Sequence, residues 1–201
     1  MPETTVLIVR VVLGVAVCVD FFLRWYFGRH RPRAGDPGGA TDAPKRSLSA
    51  AMMVLAGALY YLSLLVYAVW PRALAFAQLG VLPVVSVIGM LLLAGGLLLV
   101  AWSHRALGAS FSGGVAPVAG QPLVTHGPYA RVRHPLYLAH VVMAAGVALS
   151  TANLVHAGVW VVSVAVLIPR GRMEDRALGE AHGEAWREYA AHTGLLWPRW
   201  R

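Results

Sequence analysis

Apolar residues are concentrated in five runs, and the segments between the runs carry most of the charged side chains and prolines. The runs cover approximately residues 5–23, 48–70, 80–102, 134–149 and 154–169. A helix needs about 20 apolar residues to cross a hydrocarbon core of about 30 Å. The pattern therefore predicts an all-α integral membrane protein with about five transmembrane helices.

The last two runs are separated by only four small or polar residues, Ser150 to Asn153. So short a connection predicts an antiparallel helical hairpin. Both runs are short, and we expect tilting or local thinning of the bilayer to accommodate them. The fifth is expected to end at Pro169, because proline interrupts a helix. Residues 170–201 are then expected to form an amphipathic tail helix on the cytoplasmic membrane surface.

Composition supports a membrane protein. The chain of 201 residues is 58% hydrophobic and 13% charged, whereas a typical soluble domain is about 25% charged. The first run has no preceding basic segment and no small-residue cleavage site, so we expect it to be a retained span. Cys18 is the single cysteine, which excludes a disulfide within the chain.

The net charge of +8 indicates orientation. Arginine and lysine cluster in a linker at 24–47, in the stretch 103–133 and in the tail. Five spans place all three on one side, which the positive-inside rule makes cytoplasmic, with the N-terminus outside. Nucleic-acid binding is not expected, because the basic residues lie at span ends. A single lysine beside abundant arginine, alanine and glycine is typical of a GC-rich bacterial genome, so the expected location is the bacterial inner membrane.

The stretch HGPYARVRHPLY at 126–137 is the most distinctive polar segment. It brings together the side chains of His126, Tyr129, Arg131, Arg133, His134 and Tyr137. Two prolines stiffen it, and the fourth span follows at once. A cationic and aromatic cluster at a lipid boundary is costly unless it has a function, so we interpret it as a binding site.

A second polar cluster lies after the fifth span. Arg170 and Glu174 are four residues apart and so share a helix face. A hairpin brings its two ends together, which should place this pair beside His134 and Tyr137. Cations, aromatic rings and carboxylates in one pocket suit a zwitterionic, nucleoside-bearing ligand. The histidine spacings match no standard zinc pattern, and no metal site is predicted.

Three stretches carry a resemblance to a known family. They are LGASFS at 107–112, PLVTHGPYARVRHPLYL at 122–138, and RGRMEDRAL with GEAWREY within 170–189. Together they resemble the isoprenylcysteine carboxyl methyltransferase family, which belongs to a wider group of membrane methyltransferases related to phospholipid methyltransferases. The resemblance implies two regions, three N-terminal spans in 1–102 and a methyltransferase-like catalytic region in 103–201.

The resemblance also implies S-adenosylmethionine as cofactor and assigns site residues. The implied cofactor contacts are Gln121, Pro122, Leu123, Val124, Tyr129, His134, Pro135, Tyr137 and Glu174. Arg170 matches the arginine of the acceptor side, as a catalytic and substrate-binding residue, with Arg133 as a second catalytic candidate. His140 on the fourth span is a further candidate for lining the acceptor site. Asp175 stands where the family usually has a second glutamate.

The implied activity is methylation of a lipophilic, isoprenoid or lipid-like acceptor, a carboxylate or thiol, at the cytoplasmic membrane face. Two other functions stay open. One is a membrane reductase of isoprenoid or sterol-type double bonds that uses a nicotinamide cofactor. The other is a non-catalytic accessory membrane protein. Membrane lipids are the expected partners, and the sequence leaves the oligomeric state open.

Overall fold

The computed structural model describes residues 3–29, 48–108 and 122–199. The helices in these ranges are α1 (Glu3–Gly28), α2 (Leu48–Val69), α3 (Pro83–Leu107), α4 (Pro135–Thr151), α5 (Leu154–His182) and α6 (Glu184–His192). Two short 3-10 helices, Pro71–Ala77 and Gly127–Ala130, lie in the connections. The prediction of an all-α architecture is confirmed.

Four helices, α1, α2, α3 and α5, are long and apolar enough to cross a membrane. Their outward surfaces are apolar, and large side chains are more than half exposed at Leu7, Val11, Val54, Leu55, Leu91 and Leu98. Such a surface is unfavourable in water and suits contact with lipid. The protein is therefore an integral membrane protein, as the sequence predicted.

Helix α4 is shorter, at 17 residues, and it packs against α1, α3 and α5. Its contact with α3 is made by glycines. A Cβ built at Gly89 would lie 2.3 Å from the backbone nitrogen of Ser150, and one at Gly146 would lie 2.7 Å from the backbone nitrogen of Leu93. Small residues allow two helix backbones to approach closely within a membrane. The neighbouring helices therefore shield much of α4 from lipid.

The predicted hairpin of the last two spans is confirmed. Helix α4 ends at Thr151, its C-cap residue Ala152 adopts a left-handed conformation with φ of 47°, and α5 begins after Asn153. The Asn153 side chain accepts a hydrogen bond from the Val155 backbone nitrogen at 2.9 Å, as an N-cap residue does. It also donates to the Leu74 carbonyl oxygen at 2.9 Å, which ties this turn to the connection between α2 and α3.

The helix break expected at Pro169 does not occur. Helix α5 continues through Pro169 to His182, so the last span and the first part of the charged tail are one helix. A proline inside a helix removes one N–H donor, and membrane helices tolerate this loss. The tail turns only at Gly183, with φ of 56°, and α6 follows with Trp186 buried.

Candidate functional site

The loop that leads into α4 is held against the ends of α3 and α6. Gly127 has φ of 63°, and a Cβ there would lie 3.2 Å from the Cβ of Ala106, so the loop backbone lies directly on α3. Tyr129 is buried in the same turn. Its carbonyl oxygen accepts a hydrogen bond from the Tyr189 hydroxyl at 2.7 Å. The loop therefore has a defined conformation fixed from two sides.

His134 stands at the N-cap position of α4, and Pro135 begins the helix. Its ring lies between two consecutive acidic residues of α5. Nε2 is 2.7 Å from Oδ1 of Asp175, and Nδ1 is 3.5 Å from Oε2 of Glu174. Because each ring nitrogen faces a carboxylate oxygen, the geometry favours the doubly protonated imidazolium.

The pKa of His134 reflects two opposed influences. Burial is the largest and acts to lower the pKa, because it disfavours the charged ring. Hydrogen bonds to Asp175 and Glu174, together with the charges of both carboxylates, outweigh burial and raise the pKa above its ordinary value. His134 is thus held as a cation over a wider pH range than an exposed histidine.

Glu174 accepts hydrogen bonds from both helices of the hairpin, α4 and α5. Its Oε1 accepts a hydrogen bond from the Tyr137 hydroxyl at 2.5 Å and another from Nε of Arg170 at 3.0 Å. Arg170 is 5% exposed, and its Nη1 also donates to the hydroxyl of Ser49 on α2 at 3.3 Å. The Tyr137 ring stacks on His134, with ring centroids 5.5 Å apart.

Arg133 links Asp175 to the C-terminal end of α6. Its Nε donates to Oδ2 of Asp175 at 3.0 Å, and its Nη1 donates to the carbonyl oxygens of Ala190 at 3.1 Å and Thr193 at 2.5 Å. The backbones run side by side as well, because the Arg133 nitrogen donates to the Gly194 carbonyl oxygen at 2.8 Å. The segment after α6 therefore closes over the start of α4.

The two tyrosines beside this network remain neutral donors. Burial raises the pKa of Tyr129 well above its ordinary value, and the neighbouring Tyr189, Glu174 and Tyr137 raise it further. Burial likewise raises the pKa of Tyr189 to about 12. Two guanidinium groups, two carboxylates and one imidazolium thus stand together beside phenol hydroxyls that keep their protons at neutral pH.

Most of the predicted site residues come together. Arg133, His134, Tyr137, Arg170 and Glu174 form one connected network, which we call the polar network and which includes Asp175. Tyr129 lies close enough to Glu174 and Tyr137 for both to raise its pKa, and Pro135 opens α4 next to His134. Pro122, Leu123 and Val124 lie in irregular backbone before the 3-10 helix. Gln121 lies outside the described residues.

His140 is held outside the polar network. Its Nε2 is 2.6 Å from Nη2 of Arg24 on α1, and Nδ1 is 2.6 Å from the Leu136 carbonyl oxygen. Sequence reasoning also missed Asp175 as a site residue, because helical spacing pairs Arg170 only with Glu174. The adjacent position of the two acids was the available signal, since one ring can contact both.

Part of the chain is similar to proteins of known family. Residues 84–185 match the family model described as phospholipid methyltransferase. The curated cobalt-zinc-cadmium resistance protein CzcN of Cupriavidus metallidurans is 38% identical over 78 residues, which are 38% of this chain and 36% of that protein. The chain thus spans about a third of the curated relative's length.

A solved structure shares the fold. It is that of the eukaryotic intramembrane Ras methyltransferase, isoprenylcysteine carboxyl methyltransferase, with a TM-score of 0.54 and 21% identity. The match covers 82% of this chain and 58% of the solved one. The family match covers half of the chain, all of α3 to α5 apart from Pro83, and every residue of the polar network. The chain belongs to the phospholipid methyltransferase family.

Proposed function

We propose that this protein is an S-adenosylmethionine-dependent methyltransferase that acts on a lipophilic acceptor at the cytoplasmic face of the membrane. The observation that carries the proposal is the polar network. It stands where α4 begins, inside the region that matches the family. Ionisable residues that are buried in a membrane protein, as His134 and Arg170 are, mark functional sites more often than purely structural ones.

The donor and acceptor groups present fit the cofactor. Its ammonium and ribose hydroxyls suit the carboxylates of Glu174 and Asp175, and its carboxylate suits a guanidinium. Its adenine and sulfonium suit the rings of Tyr129 and Tyr137. The remaining contacts would come from Gln121, Pro122, Leu123, Val124, His134 and Pro135. When bound, S-adenosylmethionine supplies an electrophilic methyl group on a sulfonium.

The residues of the chain would mainly position and desolvate the reactants. Arg170 contacts Glu174, Ser49 and Tyr137, and its planar guanidinium is the group best suited to bind an acceptor carboxylate. Arg133 would be a second partner. A thiol acceptor would need a base, and Glu174 suits that role better than His134, which is held protonated. Correct orientation can lower a barrier by up to about 7–11 kcal/mol.

The neighbour's name supports a lipophilic acceptor, because that protein is described as a carboxyl methyltransferase of isoprenylcysteine. We propose lateral entry of an isoprenoid or lipid-like acceptor from the bilayer, and entry of the cofactor from the cytoplasm of a bacterium. The N-terminus would then be outside. A C-terminal green fluorescent protein fusion that is bright, with an inactive alkaline phosphatase fusion at the same site, would support this orientation.

Calorimetric titration of the detergent-purified full chain with S-adenosylmethionine tests the function. We expect saturable binding that is strongly weakened by Glu174→Gln and by His134→Ala. Glu184→Gln is the matched control, because Glu184 is 83% exposed and pairs only with Arg187 across the surface of α6 among the described contacts. Elution in size-exclusion chromatography would confirm that each variant is folded.

Three outcomes would contradict the proposal. The first is no binding by the folded wild-type protein. The second is binding that neither site substitution weakens. The third is saturable binding of the nicotinamide cofactor NADPH in place of S-adenosylmethionine, which would favour a membrane reductase.

A further inference from the structure

The outer side of α5 carries one continuous stripe of exposed residues that begins apolar and ends basic. In the apolar part of the helix these residues recur at helical spacing and are Gly158, Val161, Val162, Ala165 and Pro169. The same spacing continues to Arg172 and Arg176, which are also exposed. Residues three and four apart lie on one side of a helix. The surface of α5 that faces lipid therefore leads directly to the two arginines.

The length of α5 places both arginines near the lipid head groups. The helix begins at Leu154, directly after the polar Asn153. At 1.5 Å per residue, Arg172 and Arg176 lie about 27 Å and about 33 Å from Leu154 along the axis. The hydrocarbon core of a bilayer is about 30 Å thick. If Leu154 lies at one edge of this core, the two arginines stand at the other edge, where the phosphate groups are.

The acidic neighbours of these arginines on α5 face away from them. Glu174 and Asp175 are directed into the polar network. Among the described residues, neither Arg172 nor Arg176 forms an ion pair or a side-chain hydrogen bond, although Glu180 follows Arg176 by four positions. Like charges four residues apart on a helix repel each other. The pair therefore has a charge that the described part of the chain does not neutralise.

The two guanidinium groups are spaced to share one anion. Side chains four residues apart have Cβ atoms about 5–6 Å from each other, so long arginine side chains can converge on a single phosphate. Met173 lies beside them and is 41% exposed, which offers an apolar contact next to the charges. Arg187 on α6 differs, because its Nη1 is 2.8 Å from Oε2 of Glu184 and its charge is already paired.

We propose that Arg172 and Arg176 bind the phosphate of an anionic phospholipid whose acyl chains lie along the exposed stripe of α5. Guanidinium groups donate paired hydrogen bonds to phosphate oxygens. The head group of phosphatidylcholine carries an ammonium group that opposes the two arginines, so the site selects lipids with a net negative charge. The bound lipid holds the half of α5 whose opposite side carries Arg170 and Glu174.

Native mass spectrometry of the full-length protein in detergent measures this binding. The probes are phosphatidylglycerol and phosphatidylcholine with identical acyl chains, titrated separately. We expect the wild-type protein to bind phosphatidylglycerol about tenfold or more tightly than phosphatidylcholine, because each arginine near an anionic head group contributes to the attraction. The double variant Arg172→Gln/Arg176→Gln should bind the two lipids with similar dissociation constants.

The double variant Arg187→Gln/Arg199→Gln is the matched control. It removes the same charge from two exposed arginines, one on α6 and one after it, and neither lies on the stripe of α5. We expect this control to keep the preference for phosphatidylglycerol. All four substituted side chains are exposed, so both variants should fold, and elution in size-exclusion chromatography checks this.

Thermal unfolding in detergent gives a second measurement, because a ligand that binds only the folded protein raises the unfolding midpoint. Phosphatidylglycerol should raise the midpoint of the wild type and of the control more than phosphatidylcholine does, and should lose this advantage in Arg172→Gln/Arg176→Gln.

Three results would overturn the inference. The first is a wild-type protein with no preference for phosphatidylglycerol. The second is a preference that persists in Arg172→Gln/Arg176→Gln in either measurement, which would leave the two arginines a role in membrane orientation alone. The third is an equal loss of preference in the control, which would mean that net charge attracts the lipid and not this surface.

Discussion

The hydroxyl of Tyr137 donates a hydrogen bond to Oε1 of Glu174 at 2.5 Å. The two residues are separated by 37 positions, and the contact exists because α4 and α5 form an antiparallel hairpin. It joins the first turn of α4 to the C-terminal half of α5. The hairpin thus brings an aromatic ring and a carboxylate together next to the charged end of α5.

We expect Tyr137→Phe to weaken S-adenosylmethionine binding about tenfold or more, because a hydrogen bond to a charged group contributes about 1.5–3 kcal/mol. The ring and its stacking on His134 are retained, so a loss would report the hydroxyl. Calorimetric titration measures the change. Tyr67→Phe is the control, since Tyr67 packs on His156 elsewhere in the bundle. An unchanged dissociation constant for Tyr137→Phe would show that Glu174 needs only Arg170 to hold its orientation.

The raised pKa of His134 makes stability depend on pH. Its folded-state pKa lies above the unfolded value of about 6.5. Its contribution is therefore fully present below about pH 6.5 and is lost as the pH rises through the folded pKa. We expect the midpoint of thermal unfolding in detergent to decrease as the pH is raised above about 6.5. The decline should be less steep for His134→Gln, and an equally steep decline would assign the pH dependence to other groups.

The glycine contact between α3 and α4 provides a matched pair of substitutions. A Cβ at Gly89 would lie 2.3 Å from the backbone nitrogen of Ser150, whereas a Cβ at Gly95 has nothing within 4 Å. We expect Gly89→Ala to lower the free energy of unfolding by about 1–3 kcal/mol, because the backbones must separate. Gly95→Ala should be neutral or stabilising by up to about 1 kcal/mol. Unfolding by titration with sodium dodecyl sulfate measures both, and similar effects would mean that α3 and α4 do not pack here.

Much of this architecture could be predicted from the sequence, because a helix needs about 20 apolar residues to cross the hydrocarbon core of a bilayer. The hairpin and the approach of Arg170 and Glu174 to His134 followed from one tight turn. The end of α5 could not be predicted, since the cost of Pro169 is one hydrogen bond and the neighbouring turns tolerate it.

The contacts of Asp20 with Arg24 and Tyr61, and of Arg24 with His140, were also not predicted. Asp20 and Arg24 are nevertheless only four residues apart. Local spacing indicates that pair. It does not indicate that a residue of α4 completes the cluster, because that contact depends on how α1 packs against α4. Arg133 was predicted as a site residue, but its contacts with Ala190 and Thr193 were not. Both partners contribute only backbone carbonyl oxygens, and every residue in the sequence has such an oxygen.

The guanidinium of Arg133 contacts a carboxylate and two carbonyl oxygens at once. Nε donates to Asp175, and Nη1 donates to Ala190 and Thr193. Lysine has one compact ammonium group and cannot reproduce this fork. We therefore expect Arg133→Lys to loosen the segment after α6, so that trypsin cleaves at Arg199 at least several-fold faster than in wild type.

Arg131→Lys is the control, because Arg131 is exposed and only two residues away. Both variants keep the charge and add a lysine in the same loop. Faster cleavage in Arg133→Lys alone would therefore report the lost hydrogen bonds. Equal cleavage in the two variants would show that the backbone contacts between Arg133 and Gly194 are sufficient to hold the chain end over α4.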